Sequence, residues 1–345
     1  MEKTSTTTAN GSPELTMTVI GCGTMGIAIL SGILASLAEM QSPKHLLPAL
    51  QALQTAPSSG TSTPQEEIPA RLPSRFIACV RRPESAKKVK AALREHLSAV
   101  QIVQNENVSA AQQAEVVLLA CKPYMVQEVL SEPGMAEALA GKLLISILAG
   151  VTVPQIEKIL YPDTETLPAP EKRCTVVRAM PNTASLIRES MTVIGVTTPA
   201  LPQETMGLVT WIFKRIGDVV YLPPSTMDVC TALCGSGPAF FALMLEAAID
   251  GAVAMGLPRA EAQRMAAQTM RGTAGLVLNG DHPALLKDKV STPGGCTIGG
   301  LLVLEEGRVR GTVARAVREA TVVASQLGKG VQGVNGTRFG GSQMS

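Results

Sequence analysis

The sequence predicts an α/β domain built on a parallel sheet, followed by an all-α domain. Two observations support this prediction. From Thr18 to about Val153, apolar runs of strand length alternate with helical patterns, as in a parallel sheet covered by helices. After Asp218 strands disappear, and Ala-rich helical segments follow one another to about Gln326. A chain of 345 residues is long enough for each domain to bury a core of its own.

Five apolar runs are the predicted strands of the first domain: TVIG, RFIACV, VQIV, EVVLLA and KLLISIL. Two Pro-rich stretches, at about 41–74 and at 161–173, interrupt the pattern, and both are expected to be surface loops, the first around one short helix. The predicted organisation, in chain order, is a disordered terminus at 1–16, the first domain at 17–218, the second domain at 219–327 and a flexible tail at 328–345.

The composition favours a small-molecule partner. The 30 basic and 28 acidic residues are well mixed and leave a formal net charge of +2, so no basic face for nucleic acid is expected. Hydrophobic residues make up 46% of the chain but aromatic ones only 3%, which leaves the apolar surface to Ala, Val, Leu, Ile and Met. Helices rich in these residues often bury a face against another subunit.

Export, membrane insertion and a metal centre are not indicated. The N-terminal MEKTSTTTANGSPELT carries acidic residues and lacks an apolar core, so a cytoplasmic protein is predicted. The longest apolar stretch, Pro238 to Leu257, contains Glu246 and Asp250 one helical turn apart, which favours a buried helix over a lipid span. The seven cysteines include no Cys-x-x-Cys pair and are expected to be reduced core residues, and no metal site is predicted.

A glycine motif, Gly21-x-Gly23-x-x-Gly26, lies directly after the first predicted strand and opens a helix. In this context the first glycine permits a tight turn, the second lets backbone N–H groups approach a pyrophosphate, and the third lets helix and strand pack closely. The motif predicts a Rossmann-type dinucleotide-binding domain. The alternative is a glycine-rich turn without a ligand.

The end of the second strand distinguishes the dinucleotides. NAD-binding domains usually place an acid there for the ribose hydroxyls, whereas this chain has Arg81, Arg82 and Ser85. Two cations and a hydroxyl suit a 2′-phosphate, so NADPH is preferred as the cofactor and NADH stays open. The alternative is a solvated basic turn.

The second domain offers little acid–base chemistry. His282 is its one histidine, and the helix after Gly235-Ser236-Gly237-Pro238 lacks the Asn and Lys of sugar-acid dehydrogenases. Reduction of a C=N bond fits, because an iminium is already electrophilic. In HPALLKDKVSTPGGCTIGGLLVLEE a tight loop leads into a helix that begins near Cys296-Thr297, whose free N–H groups would attract a substrate carboxylate. The alternative is an ordinary capped helix.

Four segments resemble the pyrroline-5-carboxylate reductase family: STPGGCTIGGLLVLEEG, RAMPNTASLIRESMTVI, ALCGSGPAFFALMLEAAIDGAVAMGL and VLLACKPYMVQEVL. The resemblance extends from Met17 to Leu327 apart from the two loops. It implies a Rossmann-type domain followed by an all-α C-terminal dimerisation domain, and an oxidoreductase that reduces L-1-pyrroline-5-carboxylate to L-proline with NADPH, the last step of proline biosynthesis. Three other functions stay open: reduction of another cyclic imino acid, a β-hydroxyacid dehydrogenase, and a non-catalytic NADP(H) sensor.

The resemblance also implies site residues. The expected cofactor-binding residues are Ile20, Gly21, Cys22, Gly23, Thr24, Met25, Arg81, Arg82, Asn107, Ala120, Cys121, Lys122, Pro123, Ile147, Leu148 and Ala149, with Asn107 near the adenine ribose and Lys122 near the nicotinamide. The expected substrate-binding residues are Val290, Thr292, Gly295, Cys296 and Thr297. Thr297 is the expected catalytic residue, with its hydroxyl near the ring nitrogen, where it orients the ring and hydrogen-bonds to it. Whether a protein group or solvent protonates the nitrogen stays open.

The resemblance also implies an assembly, and the sequence departs from the family pattern at two positions. Members form homodimers through interlocked C-terminal helices, and some build larger rings, so the substrate loop would lie between subunits. Gly280 and Pro224 stand where some relatives carry acids, and neighbouring Asp281 is a candidate replacement.

Overall fold

The computed structural model describes residues 15–41, 68–163 and 167–329, together with positions 331, 334, 336 and 337. The short helix expected in the first loop lies outside the described residues, as do nearly all of the N-terminal segment and most of the tail. The described residues form two compact units. The first ends at Gly235 and also contains Ala324–Val334, and the second comprises Ser236–Val323 and positions 336 and 337.

An eight-stranded sheet forms the centre of the first unit. Its strands are β1 (Leu15–Ile20), β2 (Pro73–Val80), β3 (Val100–Gln104), β4 (Val116–Leu119), β5 (Leu143–Ser146), β6 (Thr175–Met180), β7 (Ser190–Gly195) and β8 (Gly217–Leu222). The strand order is β3-β2-β1-β4-β5-β6-β7-β8, and β1 to β6 are parallel. Strand β7 is antiparallel to β6, and β8 is parallel to β7.

The five predicted strands are confirmed as β1 to β5. The prediction that strands disappear after Asp218 is wrong by a few residues, because β8 pairs with β7 as far as Leu222. The apolar segment Val219–Leu222 is too short to show the hydrophobic periodicity of a strand, and its pairing with β7 makes it one. The compact units accordingly divide at Gly235 and Ser236, later than the predicted boundary.

Helices cover both faces of the sheet. They are α1 (Thr24–Gln41), α2 (Pro83–Ala92), α3 (Asn107–Gln113), α4 (Val126–Leu130), α5 (Met135–Leu139), α6 (Val153–Leu160), α7 (Gln203–Lys214) and α8 (Met227–Cys230). Residues alternate in direction along each strand, so Val19 packs in the same core as Ile29 and Trp211, while its neighbour Ile20 packs in the other core with Ala110. Both cores are buried, so the strands are packed on both faces. This packing holds in place the strand ends that carry the candidate site.

The second unit is entirely helical. It contains α9 (Gly237–Ala254), α10 (Arg259–Leu278), α11 (Pro283–Val290), α12 (Cys296–Glu306) and most of α13 (Val309–Gly328). Helix α9 packs against α10. Among the described residues of this unit, Ala262 is the one apolar side chain that is fully buried. This unit therefore has almost no core within a single chain.

Helix α9 corrects one expectation. It was predicted to be buried, yet its Leu243 side chain is 66% exposed in the single chain. The helical stretch Pro224–Ala254 is long and apolar enough to cross a membrane by length and composition, and only 11% of its most apolar window is buried. It includes Glu246 and Asp250. An apolar helix of this kind needs a covering surface, which the described residues of the chain do not provide.

Candidate active site

The glycine turn joins β1 to α1 by close packing. Gly21 has φ +76°, and a Cβ atom there would lie 2.5 Å from the Cα atom of Cys121. A Cβ atom on Gly26 would lie 2.9 Å from Cγ1 of Val19. The first glycine thus permits the turn, and the third permits close packing of helix on strand, as the motif predicts.

The start of α1 is open to solvent. Gly23 and Thr24 are exposed, and the nearest atom to a Cβ on Gly23 is 3.9 Å away. The amide of Gly23 donates to the Gly21 carbonyl at 2.7 Å, and that of Ile27 to the Gly23 carbonyl at 2.8 Å. The amides of the first helical turn, from Thr24 to Gly26, therefore have no carbonyl one turn back to bond. Free amides and the helix dipole at the start of an 18-residue helix make an anion site.

A cavity of about 480 Å³ opens beside this turn, at the carboxyl ends of β1 to β4. The direction of the strand order switches between β1 and β4, and open α/β sheets bind ligands at such a switch point. Its lining is Ile20, Gly21, Cys79, Val80, Arg81, Asn105, Asn107, Cys121, Met125, Glu128, Val129, Ser131, Glu132 and Pro133. The cavity therefore brings together five of the predicted cofactor-binding residues: Ile20, Gly21, Arg81, Asn107 and Cys121.

The other predicted cofactor residues lie around this cavity without lining it. Cys22 is buried under the turn, and its amide donates to the Cys79 carbonyl at 2.8 Å. Gly23, Thr24 and Met25 form the start of α1. Ala120, Lys122 and Pro123 follow β4, and Ile147, Leu148 and Ala149 follow β5. These segments share the carboxyl edge of the sheet, because β1, β4 and β5 are parallel neighbours.

The structure separates the two arginines that the sequence placed together. Arg81 lines the cavity, whereas Arg82 does not and precedes the first turn of α2 as its N-cap. Both side chains are exposed. One residue, Arg81, is therefore positioned to meet a ligand in the cavity.

Sequence reasoning missed the wall formed by α4 and the turn after it. Glu128, Ser131 and Glu132 belong to this wall, and Nδ2 of Asn107 donates a long hydrogen bond of 3.4 Å to Oε2 of Glu132. The segment VQEVLSEPG shows only a short helix and a turn in the sequence. The one available signal was its place directly after β4, the strand beside β1.

Three protonated thiols lie beneath the site. Burial raises the pKa of Cys22 and of Cys79 to about 12, and that of Cys121 to about 11. These thiols are uncharged and unreactive at neutral pH. Cys174 and Cys230 are also buried, as predicted, but Cys234 is only half-buried and Cys296 is exposed, so the prediction that all seven lie in the core is wrong for these two.

The predicted substrate residues share one loop in the second unit. The amide of Gly295 donates to the Thr292 carbonyl at 3.1 Å, and α12 begins at Cys296 without a side-chain cap. Its first amides are thus free for an anion, which argues against the ordinary capped helix. Val290, Thr292 and Cys296 are exposed in the chain, while Gly295 and Thr297 are partly buried.

Two polar side chains before this loop have partners within the second unit. Nδ1 of His282 accepts a hydrogen bond from the Ala284 amide at 3.3 Å and caps α11. Asp281, the candidate replacement for the acid missing at Gly280, forms an ion pair with Lys289 at 2.8 Å. Within the described residues, no group of three or more His, Cys, Asp or Glu side chains could hold a metal ion.

Comparisons with known proteins agree with this arrangement. Residues 224–327 match the family model described as pyrroline-5-carboxylate reductase dimerisation, and residues 60–150 match the one described as NADP oxidoreductase, coenzyme F420-dependent. A pyrroline-5-carboxylate reductase of Lophium arboricola is 67% identical over 96% of this chain and 99% of its own length. The Neurospora crassa enzyme of the same name is 58% identical over 95% of this chain and 97% of its own.

Solved structures confirm the predicted fold class. A pyrroline-5-carboxylate reductase from Coxiella burnetii is 27% identical with a TM-score of 0.68, covering 90% of this chain and 97% of that one. A Plasmodium falciparum pyrroline carboxylate reductase with NADP bound, 24% identical, also has a TM-score of 0.68 and covers 91% and 98%. Identity of two thirds to a relative over nearly the full length of both proteins is decisive, and this chain belongs to the pyrroline-5-carboxylate reductase family.

Proposed function

We propose that this chain reduces the C=N bond of L-1-pyrroline-5-carboxylate to L-proline with NADPH, the last step of proline biosynthesis. The observation that carries the proposal is the glycine turn at the centre of the sheet, packed on Cys121 and open above the start of α1. The uncapped start of α12 and the names of the relatives add support from independent parts of the chain.

The residues around the glycine turn fit a dinucleotide. A side chain at Gly21 would collide with the backbone of Cys121 and could not be accommodated in this turn. The free amides at the start of α1 suit a pyrophosphate. Asn107 and Arg81 line the cavity at the adenosine end, while Lys122 and the segment Ile147–Ala149 border the nicotinamide end. When bound, the reduced nicotinamide supplies the hydride for the imine carbon.

The chain's own residues bind and orient the imine. The first amides of α12 hold the substrate carboxylate, and the hydroxyls of Thr292 and Thr297 donate hydrogen bonds. Thr297 orients the ring through its nitrogen. A threonine hydroxyl is a poor acid, so the nitrogen takes its proton from solvent.

Preference for NADPH over NADH is part of the proposal. Arg81 lines the cavity with a permanent charge and a planar set of donors that suits a phosphate. The strand that precedes it ends without the acid that would accept bonds from ribose hydroxyls. NADH is used as well, with lower efficiency.

Assembly through the C-terminal helices completes the proposal. The dimerisation match covers 224–327, and these helices leave large apolar side chains such as Phe241 and Leu243 exposed in one chain. A homodimer covers them, and larger rings of dimers are consistent with the same surface. The cytoplasmic location expected from the sequence stays a prediction, which microscopy of a fluorescently tagged chain tests.

The test is an assay of the purified protein with pyrroline-5-carboxylate, in which loss of nicotinamide absorbance measures NADPH consumption and chromatography measures proline. NADH and piperideine carboxylate serve as parallel substrates, because one methylene changes binding by only about 1–3 kcal/mol. Rapid turnover of the five-membered imine with NADPH is expected. Binding of NADPH without turnover of either imine would indicate a sensor instead, and faster turnover of the six-membered imine would indicate a different substrate.

A further inference from the structure

The cavity beside the glycine turn contains charges of both signs. Arg81 contributes a guanidinium from the end of β2, and Glu128 and Glu132 contribute carboxylates from α4 and the turn after it. NADPH was predicted from Arg81, Arg82 and Ser85 together with the absence of an acid after β2, and the structure supplies acids from another part of the chain. A ligand with a 2′-phosphate therefore meets attraction and repulsion in one cavity.

Glu132 is the better placed of the two acids. It is half-buried and is held by Asn107, whose Nδ2 donates to its Oε2 at 3.4 Å, whereas Glu128 is exposed. This bond assigns the orientation of the Asn107 amide, since its nitrogen faces the carboxylate and its oxygen is left for a ligand. An amide oxygen accepts hydrogen bonds, so it suits a ribose hydroxyl and offers nothing to a phosphate oxygen.

The charges of Glu128 and Glu132 also influence two cysteines that line the cavity, Cys121 and Cys79. Burial is the main reason why the pKa of Cys79 is raised, and the charges of Glu106 and Glu132 raise it further. The charge of Glu128 likewise raises the pKa of Cys121. Both cysteines line the cavity, so the charges of Glu132 and Glu128 each act on a group at its surface.

We propose that Glu132 is a specificity-determining residue that opposes Arg81, weakens the preference for the 2′-phosphate and keeps the site usable by NADH. The inference rests on the proposed function only in taking this cavity as the adenosine end of the cofactor site. Arg81 attracts the phosphate. Glu132 repels it and, through Asn107, presents an acceptor that favours a free 2′-hydroxyl.

Binding of NADP⁺ and NAD⁺ to the full chain, measured by titration calorimetry, tests the proposal without any turnover. Glu132→Gln removes the charge and nearly keeps the shape, and is expected to raise the ratio of NADP⁺ to NAD⁺ affinity about three- to tenfold, the range of a partly screened charge pair. Glu132→Asp retains the charge and is expected to keep the ratio near that of the parent protein. The difference between parent and Glu132→Gln should shrink as salt is added.

Glu137→Gln is the matched control, because Glu137 is an exposed acid of the neighbouring α5 that does not line the cavity. Its affinity ratio should equal that of the parent. Circular dichroism establishes that every variant is folded. An equal change for both dinucleotides in Glu132→Gln, or no change, would overturn the proposal. A shifted ratio in a protein that reduces no imine would support it while refuting the proposed function.

Discussion

The Cα atom of Cys121 lies 2.5 Å from the point at which Gly21 would carry a Cβ atom, and Gly21 itself has φ +76°. Gly21→Ala must therefore move the backbone after β4 and place alanine in a left-handed conformation. We expect a loss of about 2–5 kcal/mol in the free energy of unfolding, together with loss of NADPH binding. Urea unfolding and calorimetry measure the two effects.

Gly23→Ala is the control for that variant, because its Cβ atom would have no neighbour closer than 3.9 Å. It should fold with nearly the parent's stability and still bind NADPH more weakly, since the added methyl group lies where the backbone must approach the pyrophosphate. Equal stability losses in both variants would show that the Cys121 contact does not set the turn.

Arg81 and Arg82 should differ although they are adjacent. Arg81 lines the cavity and Arg82 does not. Arg81→Ala is expected to raise the KM for NADPH about tenfold or more, as for loss of a charge-assisted hydrogen bond, with little change in the KM for NADH. Arg82→Ala should leave both values near those of the parent. Initial rates with both cofactors provide the measurement, and a larger effect at Arg82 would contradict the assignment.

This difference shows what the sequence could and could not predict. Strong periodicity and the glycine motif predicted β1 to β5 and the turn after β1, because local pattern and tertiary structure agree there. Arg81 and Arg82 follow the same strand end, and only the fold decides which of them lines the cavity. Glu132 could not be predicted, since its role depends on the pairing of β4 with β1 and not on its own neighbours in the chain.

In the second domain, the local structure was predicted correctly but the burial of side chains was not. The loop between α11 and α12 was predicted from local chemistry, and its tight turn and the helix start at Cys296 are confirmed. The burial of α9 was predicted from an apolar stretch interrupted by Glu246 and Asp250, and that of Cys296 from the absence of a Cys-x-x-Cys pair. Hydrophobicity indicates that a surface will be covered but does not say whether the same chain covers it.

Thr297→Ala should separate substrate chemistry from cofactor binding. The hydroxyl lies in the first turn of α12, among the free amides that would hold the carboxylate. We expect kcat/KM for pyrroline-5-carboxylate to fall roughly tenfold, as for loss of one oriented hydrogen bond, with the Kd for NADPH unchanged. Thr273→Ala, an exposed threonine of α10 that bonds only to the Thr269 carbonyl, is the control. Unchanged kinetics in Thr297→Ala would refute the role.

Stability should fall as the solution becomes more alkaline. Burial raises the pKa of the Cys79 thiol from the ordinary 9.0 to about 12, so above pH 9 the unfolded chain loses this proton while the folded chain keeps it. Each such thiol then costs about 1.4 kcal/mol of stability per pH unit up to its folded pKa. Melting temperatures between pH 8 and pH 11, measured under reducing conditions, should fall less steeply in Cys79→Ala than in the parent. An equally steep fall in Cys79→Ala would contradict this assignment.

The apolar surface of α9 should control assembly and activity together. Leu243 is 66% exposed in one chain and lies within the dimerisation match, so Leu243→Asp would put a charge where a second copy packs. We expect light scattering to detect monomer and the assay to detect loss of most activity, because the family resemblance implies that the substrate loop lies between subunits. Ile68→Asp is the control: it makes the same kind of change at a side chain that is 67% exposed in the first unit. It should change neither the assembly state nor the activity. Full specific activity in a demonstrably monomeric Leu243→Asp sample would show that one chain alone completes the active site.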